Sequence, residues 1–350
     1  MTRLLYNLSH GQGPRGTGRL VMPGTTDPLL RHAAAPLHGV FHPLGFRLEI
    51  ETNDQRVLDA AESSYGVFRP KDHQDEPLRL RVLCIPDSKG VPPWPQHTFR
   101  AYRDWFTIVG SAENYLAGDL QSREGIGFFS SAFLDCRDYF TSIFLDAFTY
   151  MSLQRHWMTP FHAAAVVRNG RAVCLSGNTR AGKSTLAYAC VKAGYSLLTD
   201  NSAFMLNAGT SGRLRGNPSR LNLRLSARNF FPELAGLPVS YRDDPSAEPY
   251  FAVPTRQMFP NQLVTEAEPG PIVFLKRPKR PLDTPMLEDV APEIARQRLF
   301  DDRNPAVDEP HVMEETKRVL GNAVQFGAYQ LQYSTLDLAL ECLDKIAWKG

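Results

Sequence analysis

Lys183 and Ser184 close the run Gly177-Asn178-Thr179-Arg180-Ala181-Gly182-Lys183-Ser184, in which two glycines frame four residues and a cation and a hydroxyl follow. Glycines so placed let the backbone turn back until successive N–H groups face inward and meet the N-terminus of a following helix. That arrangement cradles phosphate. In such a loop the lysine reaches the β- and γ-phosphates as a point charge, and the hydroxyl ligates Mg2+ held between them. Gly177 through Thr185 are therefore the candidate nucleotide contacts, with Lys183 also a candidate catalytic group and Ser184 a candidate metal ligand. The implied cofactors are ATP, or another nucleoside triphosphate, and Mg2+.

Phosphoryl transfer is mostly positioning and charge stabilisation, so the loop still needs an acid to handle metal or proton and a cation to face developing charge. Asp200 is the candidate acid and second metal ligand, at the end of the strand that follows the loop helix, where α/β sheets gather their ligands. Asn201 stands beside it. His162 precedes the loop and is a further candidate catalytic residue, or equally a structural histidine. Arg220 and Arg224 alternate on one expected strand, either directed at phosphates or simply ion-paired.

The elements that must position these residues follow from local pattern. Residues 172–176 form an apolar run of the buried-strand type, and residues 185–192 are rich in helix formers and stop at Gly194. Residues 161–167 read as a strand that turns at Asn169-Gly170, a type I′ hairpin signal, into the loop strand. Residues 195–199 and 203–206 are extended, and 213–217 with 221–225 read as a strand pair. Residues 254–260 are a candidate acceptor-presenting segment. Further on come a strand at 271–276, a basic turn at 276–280, a strand and helix over 286–301, a polar helical region at 304–322 with the character of a lid, and a closing strand and helix.

Upstream, residues 1–38 are dense in Gly, Pro and Thr and read as a flexible arm. Residues 39–158 read as an α+β module. It has a half-buried strand over 45–51, a helix capped by Asn53 or Asp54, a strand at 78–85, a Pro-rich loop at 86–95, and antiparallel strands over 99–109 and 115–129. A long helix over 136–156 links it onward, with Phe140, Ile143, Phe144, Ala147, Phe148 and Met151 at three- and four-residue intervals, a core stripe. Residues 159–350 form the phosphate-loop domain. The fold class is α/β.

Composition narrows the partners. With 39 Lys and Arg against 37 Asp and Glu, the net charge of +2 carries no polyelectrolyte signature, so neither nucleic acid nor a membrane surface is implied. No stretch reaches the ~20 apolar residues of a membrane helix, and no signal peptide is evident. The five cysteines are scattered with no C-x-x-C, as in reduced thiols of a cytoplasmic protein.

The series Phe161-His162-Ala163-Ala164-Ala165-Val166-Val167, then the loop, then Gly194-Tyr195-Ser196-Leu197-Leu198-Thr199-Asp200-Asn201 resembles the catalytic domain of HPr kinase/phosphorylase and its bacterial relatives. Those relatives include serine kinases that modify lasso peptides. The resemblance spans residues 159–345 and is strongest over the first forty. It implies a P-loop domain of the PEP carboxykinase/HPr kinase type, ATP and Mg2+, a protein or peptide substrate with an acceptor serine, and a tendency to form homo-oligomers. In that family two adjacent aspartates divide metal binding and the general-base role. Here the pair reads Asp200-Asn201, and a neutral amide cannot take the serine proton. The phosphorylase-side signature and a further metal-binding glutamate are not recognisable around residues 216–225, so the reverse reaction is not implied.

The expected function is an ATP-dependent kinase acting on a serine hydroxyl of a protein or peptide. The alternative is a nucleotide-binding pseudokinase or sensor, motivated by Asn201. A third reading is a kinase of a small metabolite hydroxyl.

Overall fold

The computed structural model describes residues 34–71, 76–85, 94–207, 212–240, 248–278, 280–302 and 309–347. Most of the expected N-terminal arm, most of the Pro-rich loop and parts of the 239–249, 276–280 and 304–322 segments lie outside them.

The first elements build one seven-stranded mixed sheet. They are β1 (Leu37–Phe41), β2 (Leu48–Thr52), α1 (Gln55–Tyr65), β3 (Leu78–Ile85), β4 (Thr98–Tyr102), β5 (Trp105–Val109), β6 (Tyr115–Asp119) and β7 (Glu124–Ser130), with strand order β1-β2-β3-β7-β6-β5-β4. β2, β3 and β7 run parallel, while β4 to β7 form a meander. The first strand begins inside the stretch read as an arm. α1 starts where Asp54, in extended conformation, accepts a hydrogen bond from the Arg56 N–H, and it buries Val57, Ala60, Ala61, Ser64 and Tyr65, one stripe at helical spacing.

The expected single helix over 136–156 forms as one continuous helical run from Arg137 to His156, with a π-helical turn inside it and a separate short helix before it. α2 (Ser131–Asp135), α3 (Arg137–Tyr139), a π-helical turn over Phe140–Leu145 and α4 (Asp146–His156) follow one another. A π turn holds one residue more than an α turn, and the aromatic residues on either side of it still face one core. Phe140 and Phe144 meet Phe129 edge to face with ring centroids 5.0 Å apart, and Phe144 meets Phe133 at 5.3 Å. This aromatic cluster lies within the core shared by α1, α4 and the seven-stranded sheet.

The remaining strands are β8 (Met158–His162), β9 (Ala164–Arg168), β10 (Arg171–Ser176), β11 (Ser196–Thr199), β12 (Ser202–Leu206), β13 (Leu214–Gly216), β14 (Leu221–Arg224), β15 (Val239–Ser240), β16 (Tyr250–Val253), β17 (Glu266–Ala267), β18 (Ile272–Leu275), β19 (Met286–Asp289) and β20 (Ala328–Gln332). Among them lie helices α5 (Lys183–Lys192), α6 (Thr255–Met258), α7 (Pro292–Asp301) and α8 (Pro310–Ala323), and α9 (Leu336–Ala347) follows β20. A six-stranded sheet has the order β11-β9-β10-β18-β20-β19, with β10, β18 and β20 parallel at its centre. β10 and β18 are almost wholly buried, as parallel strands covered by helices must be, while β20 is buried only at Ala328 and Leu331. Smaller sheets have the orders β17-β13-β12-β8 and β14-β16-β15.

Three expectations change here. The run 161–167 is two strands: the chain leaves β8 of the four-stranded sheet at Ala163 and enters β9 of the six-stranded one. The segments at 213–217 and 221–225 contain strands, but β13 pairs β12 and β17 whereas β14 pairs β16. The helical region past residue 309 is packed rather than lid-like, since α8 buries Val312, Thr316, Val319, Leu320 and Ala323. The Asn169-Gly170 hairpin forms as expected, with φ of 53° and 81° and Arg168 opposite Arg171.

Candidate functional site

The loop after β10 requires backbone conformations that side chains resist. Gly177 has φ of +144°, and a Cβ there would stand 2.9 Å from the Leu275 carbonyl oxygen of the adjacent parallel strand. Gly182 has φ of +102° and immediately precedes α5, whose second turn begins with Leu186 N–H donating to the Gly182 carbonyl at 2.9 Å. Arg180 is also left-handed, at φ 71°. Between the glycines, Asn178, Thr179, Arg180 and Ala181 form a tight turn closed by Ala181 N–H donating to Asn178 O at 3.0 Å. Lys183 folds back over this turn and donates to the Gly177 carbonyl at 2.6 Å. The N-terminal amides of α5, from Lys183, Ser184 and Thr185 onward, thus open beside a lysine head, the arrangement that binds an anion.

Two chain crossings bring the other candidates to this loop. β11 ends in a register shift between Leu197 and Thr199, and the chain then passes through Asp200 and Asn201 into β12 of the neighbouring sheet. A bulge re-aims the residue that follows it, here Asp200. The second crossing is that at Ala163, and β8 pairs β12 with His162 directly opposite Ser202. His162, Asp200 and Asn201 are therefore gathered where two sheets hand the chain to one another.

Asp200 is partly buried, and its two oxygens differ. Oδ2 accepts the Asn222 N–H at 3.0 Å, whereas Oδ1 is buried with no hydrogen-bond partner. Burial pushes its pKa above the ordinary carboxylate range, against the opposing influence of the Ser184 hydroxyl, the Asn222 amide and the Lys183 charge. An orphaned carboxylate oxygen beside a serine hydroxyl is costly to the fold unless something positive sits there. The pair fits a divalent cation that takes its other ligands from phosphate and water, as Mg2+ does. The Lys183 ammonium is held below its usual value by burial, with Asp302 and Asp200 acting the other way.

His162 is half-buried, and its imidazole is shifted downward by burial first and by the Lys183 charge second, so it is neutral at pH 7. Asp302 and Asn201 favour its charged form, and the Asp302 carboxylate lies 3.5 Å from Nδ1. Asp302 carries no motif and was not a sequence candidate.

No protein-family model matches the chain, and no curated protein does. A solved structure, that of the Hpr(Ser) kinase/phosphatase from Coxiella burnetii, is similar to it at 13% identity, covering 55% of this chain and 99% of that one, with a TM-score of 0.28. A TM-score that low carries no argument. The mixed α/β architecture with its several sheets is established by the strand pairings themselves.

Neither candidate arginine turns to the loop as a free cation. Arg220 precedes β14 and binds Asp146 at 2.7 Å in a polar cluster with Ser64. Arg224 pairs with Glu248, which also pairs with Arg180 of the loop. The 254–260 segment, expected to present an acceptor, is anchored: Thr255 is buried and donates to the Pro218 carbonyl at 2.8 Å, and Phe259 packs on Tyr188. All five cysteines are free. No described helix is long and apolar enough to cross a membrane.

Proposed function

We propose that this chain is a cytoplasmic Mg2+- and ATP-dependent kinase that transfers the γ-phosphoryl group to a serine hydroxyl of a protein or peptide, a ribosomally made peptide such as a lasso-peptide precursor being one such substrate. The observation that carries the reading is the unpartnered, buried Asp200 Oδ1 beside Ser184, at the mouth of a loop whose lysine and helix amides face the same space. A carboxylate oxygen buried without a hydrogen-bond partner next to a phosphate cradle suits a metal-nucleotide site and is what a merely structural turn avoids. The loop amides and Lys183 hold the phosphates, Ser184 and Asp200 hold the metal, and His162 faces the acceptor side. Bound Mg2+ would neutralise charge between the β- and γ-phosphates.

Asn201 supports a second reading, a nucleotide sensor without transfer, because no carboxylate occupies the position beside Asp200. Incubation with γ-labelled ATP, Mg2+ and serine-containing peptides separates the two. Label on peptide from the unmodified chain, lost in Lys183→Ala together with ATP affinity, is expected. Tight ATP binding with no turnover would instead leave the sensor, and unchanged binding and turnover in Lys183→Ala would overturn both.

A further inference from the structure

The kinase reading leaves a chemical gap at Asn201, since the attacking hydroxyl must lose its proton to something other than an amide. Asp302 closes α7 and brings an acidic side chain into the same corner from far along the chain, 3.5 Å from the His162 ring. Its influence also reaches Lys183, so the three side chains share one electrostatic neighbourhood. Both His162 and Asp302 keep more than a third of their side-chain surface open, at 35% and 39%, so an acceptor can approach them.

The position of Asp302 argues against a merely structural role. Its N–H donates to the Arg298 carbonyl at 3.1 Å at the C-terminal end of α7, where the helix dipole favours a cation and disfavours a carboxylate. Its neighbour Asp301 accepts from Gln297 within the helix, and Ala295 and Leu299 anchor α7 in the core. A helix end that accepts an unfavourable charge and aims it at a histidine beside a phosphate loop is arranged for that histidine.

We infer that Asp302 is the second carboxylate of this site, a positioning residue that holds the His162 ring so that the ring takes the proton of the attacking hydroxyl. The inference rests on the kinase reading. Asp302 accepts the Nδ1–H hydrogen bond, which leaves Nε2 as the proton acceptor. As the hydroxyl oxygen bonds to the γ-phosphorus, its O–H bond breaks and the proton passes to Nε2. The bond from phosphorus to the β–γ bridging oxygen breaks, and its electron pair leaves with the nucleoside diphosphate. The resulting imidazolium is stabilised by Asp302, with the Asn201 amide beside the ring and Lys183 opposing. At 3.5 Å the His162–Asp302 contact is long, and such contacts tighten when substrate closes the site.

The test uses the full chain, ATP and Mg2+, with water as the acceptor where no peptide is in hand, and reads ATP affinity and turnover separately. Asp302→Asn is expected to lower turnover about 100-fold with ATP affinity changed less than about threefold, the scale of a lost general base. Asp302→Glu should retain most of the activity, and adding Asn201→Asp to Asp302→Asn should recover at least about tenfold, since a carboxylate then stands on the other side of the ring. Equal turnover in Asp302→Asn and the unmodified chain overturns the assignment of Asp302 alone. So does equal loss in Asp302→Asn and Asp302→Glu with no recovery from Asn201→Asp. A chain that neither binds nor turns over ATP overturns the kinase reading and this inference with it.

Discussion

Two aspartates, the buried Asp146 and the partly buried Asp200, lie on either side of the same short turn and are treated in opposite ways. Asp146 is fully partnered: Oδ1 accepts from the Tyr65 hydroxyl at 2.8 Å and the Ser64 hydroxyl at 3.3 Å, and Oδ2 accepts from Arg220 at 2.7 Å. Asn217 joins the cluster by donating to the Tyr150 and Ser64 hydroxyls. Asp200, reached through Asn222 only two residues beyond Arg220, keeps one oxygen buried and unsatisfied. A saturated buried carboxylate is a fastening, joining α1 and α4 to the turn that leads into β14. An unsaturated one is costly, and it persists because the surrounding sheets fix the chain around it. The fastening also serves Asp200, since the turn that Arg220 anchors leads into β14, whose Asn222 N–H donates to the Asp200 carboxylate.

The largest effect expected from this contrast is on stability at the fastening. Asp146→Ala strands Arg220 without its carboxylate and leaves Tyr65 only the Thr149 hydroxyl, and chemical denaturation should show a loss of about 3 kcal/mol, the scale for removing one partner of a buried pair. A loss under about 1 kcal/mol would mean that water fully replaces the carboxylate and that the cluster is not a fastening.

At Asp200 the direction reverses. Asp200→Asn removes a buried charge whose protonation is already favoured by burial, so the melting temperature of the ligand-free chain should hold or rise, while turnover falls by about 100-fold or more. A melting temperature that drops as far as in Asp146→Ala would erase the distinction between the two aspartates.

The smallest effect is at a third, half-exposed aspartate. The Arg56 guanidinium holds the Asp54 carboxyl down at about 2. Because its folded value is depressed, the contribution is fully present above the ordinary value near 4 and is lost as pH falls toward 2. Asp54→Asn should therefore melt lower than the unmodified chain at pH 7 by an amount equivalent to under about 1 kcal/mol, with the gap closing by pH 2. A gap that widens in acid would contradict the sign.

What could be read from sequence and what could not divides along chain separation. The loop, its strand and its helix are set by residues within a few positions of one another, so Gly177, Gly182 and the Asn169-Gly170 hairpin were legible from backbone requirements alone. His162, Asp200 and Asn201 were legible as candidates because they flank those elements. The change of sheet at Ala163 was not, because a run of alanines and valines carries no Gly or Pro to mark it. The π turn at Phe140–Leu145 preserves apolar spacing closely enough to pass for a regular helix. Arg220 and Arg224 were read as alternating on one strand, but Asp146 and Glu248, which neutralise them, come from distant segments. Asp302 was invisible for the same reason: its role depends on where α7 ends in space, and no local pattern encodes that.

The central claim is that the unsatisfied Asp200 oxygen and Ser184 form a metal-nucleotide site, and calorimetric titration of ATP with and without Mg2+ tests it most directly. The unmodified chain should bind ATP at least about tenfold more tightly with Mg2+ than with a chelator, and Asp200→Asn, still folded, should lose that difference. Binding that is indifferent to Mg2+ in the unmodified chain, or a Mg2+ dependence that survives intact in Asp200→Asn, would contradict it.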